Sequence, residues 1–116
     1  MLLSNENGMI RVLQTLGDRS LVIDCIKRTM PKWVATEILA AYTECGEVDL
    51  YDRTGMILDR ELTQEEQRIA QERFTMIAAV LPFIGNEPKR NEMIDLLSEH
   101  HSKQTIRKYL CLYLVY

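Results

Sequence analysis

Four side chains near the C-terminus carry most of the chemistry that this sequence offers. Lys103, Gln104, Arg107 and Lys108 stand at positions i, i+1, i+4 and i+5, so a helix places them on one side. On the opposite side Ile106, Tyr109, Leu110 and Tyr113 recur at i, i+3, i+4 and i+7, an apolar face expected to dock on neighbouring helices. An amide and long cations at a helix N-terminus suit the reading of base edges in a major groove. Gln pairs bidentately with adenine, and Arg or Lys with guanine. Lys103, Gln104 and Arg107 are therefore expected towards bases. Ser102 and Thr105 are short hydroxyls suited to a cap or a phosphate beside the positive end of the helix dipole. Lys108, and Lys89 and Arg90 further upstream, are expected on phosphates.

Other residue types that could do chemistry lack the spacing for it. A two-metal carboxylate site needs three acids gathered by an RNase H-like sheet, and no five-strand alternation with helices appears here. Asp24, Asp49, Asp59 and Asp95 are thus expected at the surface or in caps. His100 and His101 are adjacent and cannot easily share one tetrahedral ion, and Cys111 has no second Cys near it. No catalytic residue, metal or cofactor is expected. Cys25, Cys45 and Cys111 are odd in number and widely spaced, which excludes a disulfide framework and suits a reducing cytoplasm. They read as small buried hydrophobes.

These side chains need a scaffold, and the sequence predicts an α+β one. Residues 9–15 and 21–26 are β-branched apolar runs joined by Gly17-Asp18-Arg19-Ser20, the signature of a β-hairpin. Pro31 interrupts the chain. Thr36 is expected to cap a helix running to Cys45 and stopped by Gly46, with Trp33 as the core plug that ties the hairpin to it. Glu47 to Tyr51 reads as a short third strand, closing an N-terminal subdomain over residues 1–51. Residues 52–62 are weakly patterned and read as a linker. Thr63-Gln64-Glu65-Glu66 has the capping-box form, ahead of a helix over 64–81 with Ile69, Phe74, Ile77, Val80 and Leu81 at helical spacing. Pro88 fits the first position of a second helix, buried through Met93, Ile94, Leu96 and Leu97. Ser102 caps a third, running from Lys103 to about Tyr116. Residues 63–116 thus read as a three-helix helix-turn-helix subdomain.

Composition sets the outer limits. The chain has 116 residues, 47% of them apolar and 27% charged, the balance of an ordinary globular protein of one domain or two very small ones. No run of about 18 apolar residues exists to span a membrane, and the first residues lack the pattern of a secretory signal. The net charge of −3 argues against a polyanionic partner until it is divided. Residues 1–87 hold nine Lys/Arg and fourteen Asp/Glu, a net −5, whereas residues 88–116 hold five and three, a net +2. From residue 102 onward there are three basic side chains and no acid. Lys27, Arg28 and Lys32, clustered around Pro31, also permit contact with DNA.

The run Ser102-Lys103-Gln104-Thr105-Ile106-Arg107-Lys108-Tyr109-Leu110, followed by Tyr113, resembles the recognition helix of TnsB-like transposases, Mu-related members of the DDE recombinase superfamily. Upstream, Ile10 to Leu13, Leu21 to Asp24 and the Met30-Pro31 step are similar to that family's N-terminal hairpin and its proline break. Glu37-Ile38-Leu39 through Glu47 resembles its following helix. The helix with Arg68 and Arg73, then Arg90, resembles the elements that lead into its helix-turn-helix. The resemblance implies recognition of transposon-end double-stranded DNA, with other transposase subunits as further partners, a cytoplasmic location, and catalysis in a separate RNase H-like domain. On this reading the apolar end Leu112 to Tyr116 marks a cut from a longer protein. One departure stands out. Cys111, Leu112 and Leu114 occupy positions where the family carries Arg and Trp, which leaves DNA contact to the N-terminal half of the helix. Two alternatives stay open beside this reading, a protein-interaction module and a standalone helix-turn-helix regulator.

Overall fold

The computed structural model describes residues 1–55 and 63–116. The fold is α+β, and the chain divides into two compact units, a sheet with one helix and then, beyond residues 56–62, a group of helices.

The first unit is built on an antiparallel sheet of strands β1 (Leu2–Asn5), β2 (Gly8–Leu16), β3 (Arg19–Asp24), β4 (Lys32–Ala35) and β5 (Thr43–Glu44), in the order β4-β3-β2-β1-β5. The expected hairpin is β2–β3. Leu16 pairs with Arg19, so the loop is Gly17-Asp18, and Gly17 at φ 63 supplies the left-handed residue that a two-residue hairpin turn needs. β1 was not expected. The Asn5 side chain makes its turn into β2, the Oδ1 accepting from the N–H of Asn7 at 2.9 Å and of Gly8 at 3.0 Å. Leu3, Ile10 and Val22 share one face, where Val12, Val34, Leu39 and Tyr42 pack against them. On the other face Leu2, Leu21 and Ile23 are buried.

Three sequence expectations fail in this unit, each for a local reason. The expected helix over 36–45 is a 3-10 helix, Thr36–Ala41, followed by β5. The Thr36 hydroxyl does not cap it. That group bonds the Ser20 hydroxyl at 2.9 Å and donates to the Gly17 carbonyl at 3.2 Å, holding the chain against the hairpin end. Trp33 is half-buried in β4, with the Arg19 guanidinium 5.6 Å from its ring centroid, and is not a core plug. The expected third strand over 47–51 is helix α1, Glu47–Thr54, which takes the first three residues assigned to the linker. Acids in its first turn, Arg53 in its last and Gly55 in the left-handed conformation (φ 74) all favour a helix here. Gly55 follows α1, and the remaining residues of the expected linker, 56–62, lie outside the described residues. Arg11 of β2 ties α1 to the sheet through a two-pronged pair with Glu47 at 2.8 and 2.9 Å, and Arg53 Nη1 donates to the Gly8 carbonyl at 3.2 Å.

The second unit contains α2 (Gln64–Ile77), α3 (Glu87–Leu97) and α4 (Lys103–Val115), with a 3-10 turn at Leu81–Phe83. The capping box forms as the sequence predicts. Thr63 Oγ1 accepts from Glu66 N at 3.1 Å, and Glu66 Oε1 accepts from Thr63 N at 3.4 Å. α2 ends at Ile77, four residues before the expected Leu81, and Pro82 lies in the 3-10 turn that follows. Ile77, Val80, Ile94, Ile106 and Leu110 are fully buried and form the apolar centre of these helices. Phe74 and Leu96, expected inside, are 45% and 57% exposed.

Candidate nucleic-acid interface

The turn between α3 and α4 fixes where the C-terminal cations stand. Asn86 Oδ1 accepts from Lys89 N at 3.3 Å to start α3, with Pro88 in the first turn. The Leu97 carbonyl closes the other end, accepting from His100 N at 3.1 Å and His101 N at 3.2 Å. Ser102 then caps α4, its Oγ accepting from Thr105 N at 3.1 Å while its O–H donates to Thr105 Oγ1 at 2.7 Å. Both hydroxyls expected on phosphates are therefore engaged with the cap. Their work is to start the helix in one place.

The long polar side chains expected on DNA separate into three kinds. Gln104, Arg107 and Lys108 are exposed on the first two turns of α4 and make no ion pair with any described residue. Lys103 is also exposed, but its Nζ lies 2.7 Å from Asp95 Oδ1, and Lys89 Nζ lies 3.7 Å from Glu92 Oε2. Each of those charges is partly cancelled within the chain. Arg90 differs from both groups and from its expected role. It is 6% exposed and its Nη1 donates to the Ile84 carbonyl at 3.1 Å. Arg90 shares the buried stripe of α3 with Ile94, four residues on, so its guanidinium faces inward and is not presented to a phosphate.

The apolar side of α4 is also redistributed. Ile106 and Leu110 are buried as expected, but Tyr109 is half-buried and Tyr113 is 49% exposed. Tyr113 packs against Phe74 of α2 with ring centroids 5.5 Å apart and a 51° tilt. Cys111, at i+4 from Arg107 and so on the other side of α4 from Tyr113, is buried, and burial pushes its thiol up, opposed in part by the nearby Arg90 charge. Sequence reasoning did not place Arg73 in the site. Its guanidinium carbon lies 4.4 Å from the Tyr109 ring centroid, and Lys108 Nζ lies 5.9 Å from the same centroid. The signal was present in an Arg on the last two turns of α2, but no spacing rule links α2 to α4.

The acids considered for catalysis have local tasks. Asp24 Oδ1 accepts from Ile26 N at 2.9 Å and Lys27 N at 2.8 Å, Asp49 Oδ2 accepts from Gly46 N at 2.9 Å, and Asp95 holds Lys103. Asp59 lies outside the described residues. Among the described residues no group of three His, Cys, Asp or Glu side chains is arranged to hold a metal ion. No helix among them is long and apolar enough to cross a membrane. In the first unit, exposed Lys27 and Lys32 border a groove of about 360 Å³ whose lining includes Ile10, Val22, Val34 and Tyr42. No known family and no curated protein matches the chain.

Proposed function

We propose that this chain binds double-stranded DNA sequence-specifically, as the part of a DDE-type transposase that recognises transposon ends, with catalysis elsewhere in the parent protein. The observation that carries the reading is the trio Gln104, Arg107 and Lys108. They are exposed on the first two turns of a capped helix, directly after the turn from α3, and no carboxylate among the described residues pairs with either cation. A chain that pairs Lys89, Lys103 and Arg68 internally but leaves these two cations open has a face suited to an external anion. Gln104 and Arg107 are assigned to base edges and Lys108 to the phosphate backbone. Ser102 and Thr105 contribute by fixing the helix start, and Arg90 by holding α3 in place. The resemblance to TnsB-like transposases over residues 102–113 supports transposon ends as the target. The test is selection of duplexes from a random pool on the full chain at low salt, followed by titration of the enriched site. An enriched sequence that Gln104→Ala no longer prefers supports the reading, and recovery of an unenriched pool removes it.

A further inference from the structure

We propose that Arg73, seated on the Tyr109 ring beside Lys108, forms a second phosphate site on α2, so that the DNA backbone is gripped by two helices and not by α4 alone. The inference rests on the DNA-binding reading above and extends it to a residue outside α4.

Three observations carry it. Arg73 and Lys108 approach the same ring, at 4.4 and 5.9 Å from its centroid, and neither has a carboxylate partner among the described residues. A phosphate backbone that passes this ring can therefore be met by both cations. Arg68, five residues earlier on α2, shows the ordinary alternative, since it is paired with both Glu65 and Glu72. Second, a recess of about 430 Å³ opens at this place, lined by Arg73, Tyr109, His101, Ile69, Met76 and Glu72. The Glu72 carboxylate there is engaged by Arg68. Third, the helical angles agree. At about 100° per residue, Gln104 and Lys108 lie between Arg107 and Tyr109 around α4. Moving around the helix from the base-facing pair Arg107 and Gln104, one meets Lys108 and then the Arg73–Tyr109 pair on the same flank. That flank is where one phosphate strand runs when a helix lies in a major groove. The ring also restrains the long Arg side chain in advance, and a guanidinium held over a ring keeps its N–H edge for a phosphate oxygen.

The experiment compares Arg73→Gln with Arg19→Gln in the full chain, titrating the selected duplex across a range of KCl concentrations. Arg19 is an exposed arginine over the Trp33 ring in the first unit, so both variants remove one exposed positive charge from a ring and general charge loss affects them alike. Arg73→Gln is expected to weaken binding about tenfold at low salt and to flatten the slope of log affinity against log salt by about one. Arg19→Gln is expected to stay within about twofold of the unsubstituted chain. Circular dichroism melts that overlay for Arg73→Gln and the parent exclude loss of fold as the cause. Equal binding and slope for Arg73→Gln, or an equal loss in Arg19→Gln, overturns the second site while leaving the α4 reading intact. Failure of the unsubstituted chain to bind any duplex removes both. Inorganic phosphate at matched ionic strength separates the sources. Duplex binding is expected to be unaffected by it, and saturable competition at micromolar phosphate would contradict a DNA backbone site.

Discussion

Lys89 and Arg90 are neighbours of like charge, and one step along α3 separates a solvent-facing cation from a buried one. A rotation of about 100° per residue is enough to do this, and composition cannot reveal which of the two faces inward. Arg90→Ala is therefore expected to destabilise the helical unit by about 2 kcal/mol in urea denaturation, through a lost charged hydrogen bond and lost packing. Arg107→Ala should stay within about 0.5 kcal/mol of the parent, as exposed substitutions do. The cysteines divide in the same way. Burial pushes the Cys25 thiol up to about 11, and Cys111 is raised for the same reason. Burial thus shields both thiols and disfavours the thiolate, the form that reacts. Half-buried Cys45 is expected to be alkylated first on the native protein, with Cys25 and Cys111 following only on denaturation. Mass mapping of the labelled sites checks the order. The residues of α4 were largely legible because helix period, cap and basic face coincide over thirteen residues. Tyr113 and Arg90 were not, because burial depends on what packs against each face.

At the level of elements, short segments were hardest to read. Glu47-Val48-Asp49-Leu50-Tyr51 alternates polar with apolar and so imitates a strand, yet Gly46, the first-turn acids and Gly55 are helix signals that outweigh five residues of alternation. β1 and β5 are four and two residues long, too short for their own pattern, and exist because β2 offers a partner to β1 and β1 to β5. The hairpin β2–β3 was legible because its strands and its turn residues agree. Gly55→Ala is expected to cost about 1 kcal/mol of stability by chemical denaturation. A Cβ there meets nothing within 4 Å, so the cost comes from the backbone at φ 74 and not from a clash. The join between α1 and β2 should be pH-sensitive. Arg11 hydrogen-bonds the Glu47 carboxylate and holds it below its ordinary value of 4.5. A depressed carboxylate contributes stability that is complete above its unfolded value and is lost as pH falls through the folded one. Glu47→Gln is thus expected to be less stable than the parent at pH 7 by about 1 kcal/mol or less, because the pair is partly exposed. The difference between the two proteins should shrink as pH falls below 4.5 and through the lowered folded value. Thermal melts across pH 3 to 7 check this, and a constant difference at all pH values would exclude the pair as its source.

For the whole molecule, charge distribution matters more than total charge. A net −3 hides the local excess of positive charge over residues 88–116, and with Lys89 and Lys103 paired to acids of the same segment and Arg90 buried, the exposed part of that excess is Arg107 and Lys108 on α4. So small a positive face implies weak, salt-sensitive binding by this chain alone. The α+β class was readable from the order of patterns along the chain. The open or paired state of each cation was not, because Asp95 with Lys103 is a meeting of two helices that no sequence spacing encodes. The most direct test of the DNA-binding account is fluorescence anisotropy of the full chain on its selected duplex and on single-base variants, with Gln104→Ala, Arg107→Ala and Lys108→Ala in parallel. Gln104→Ala and Arg107→Ala should each lose about 1–3 kcal/mol of discrimination at one base position, while Lys108→Ala should weaken every duplex alike and flatten the salt slope by about one. Affinity, preference and salt slope that stay the same in all three variants would contradict it.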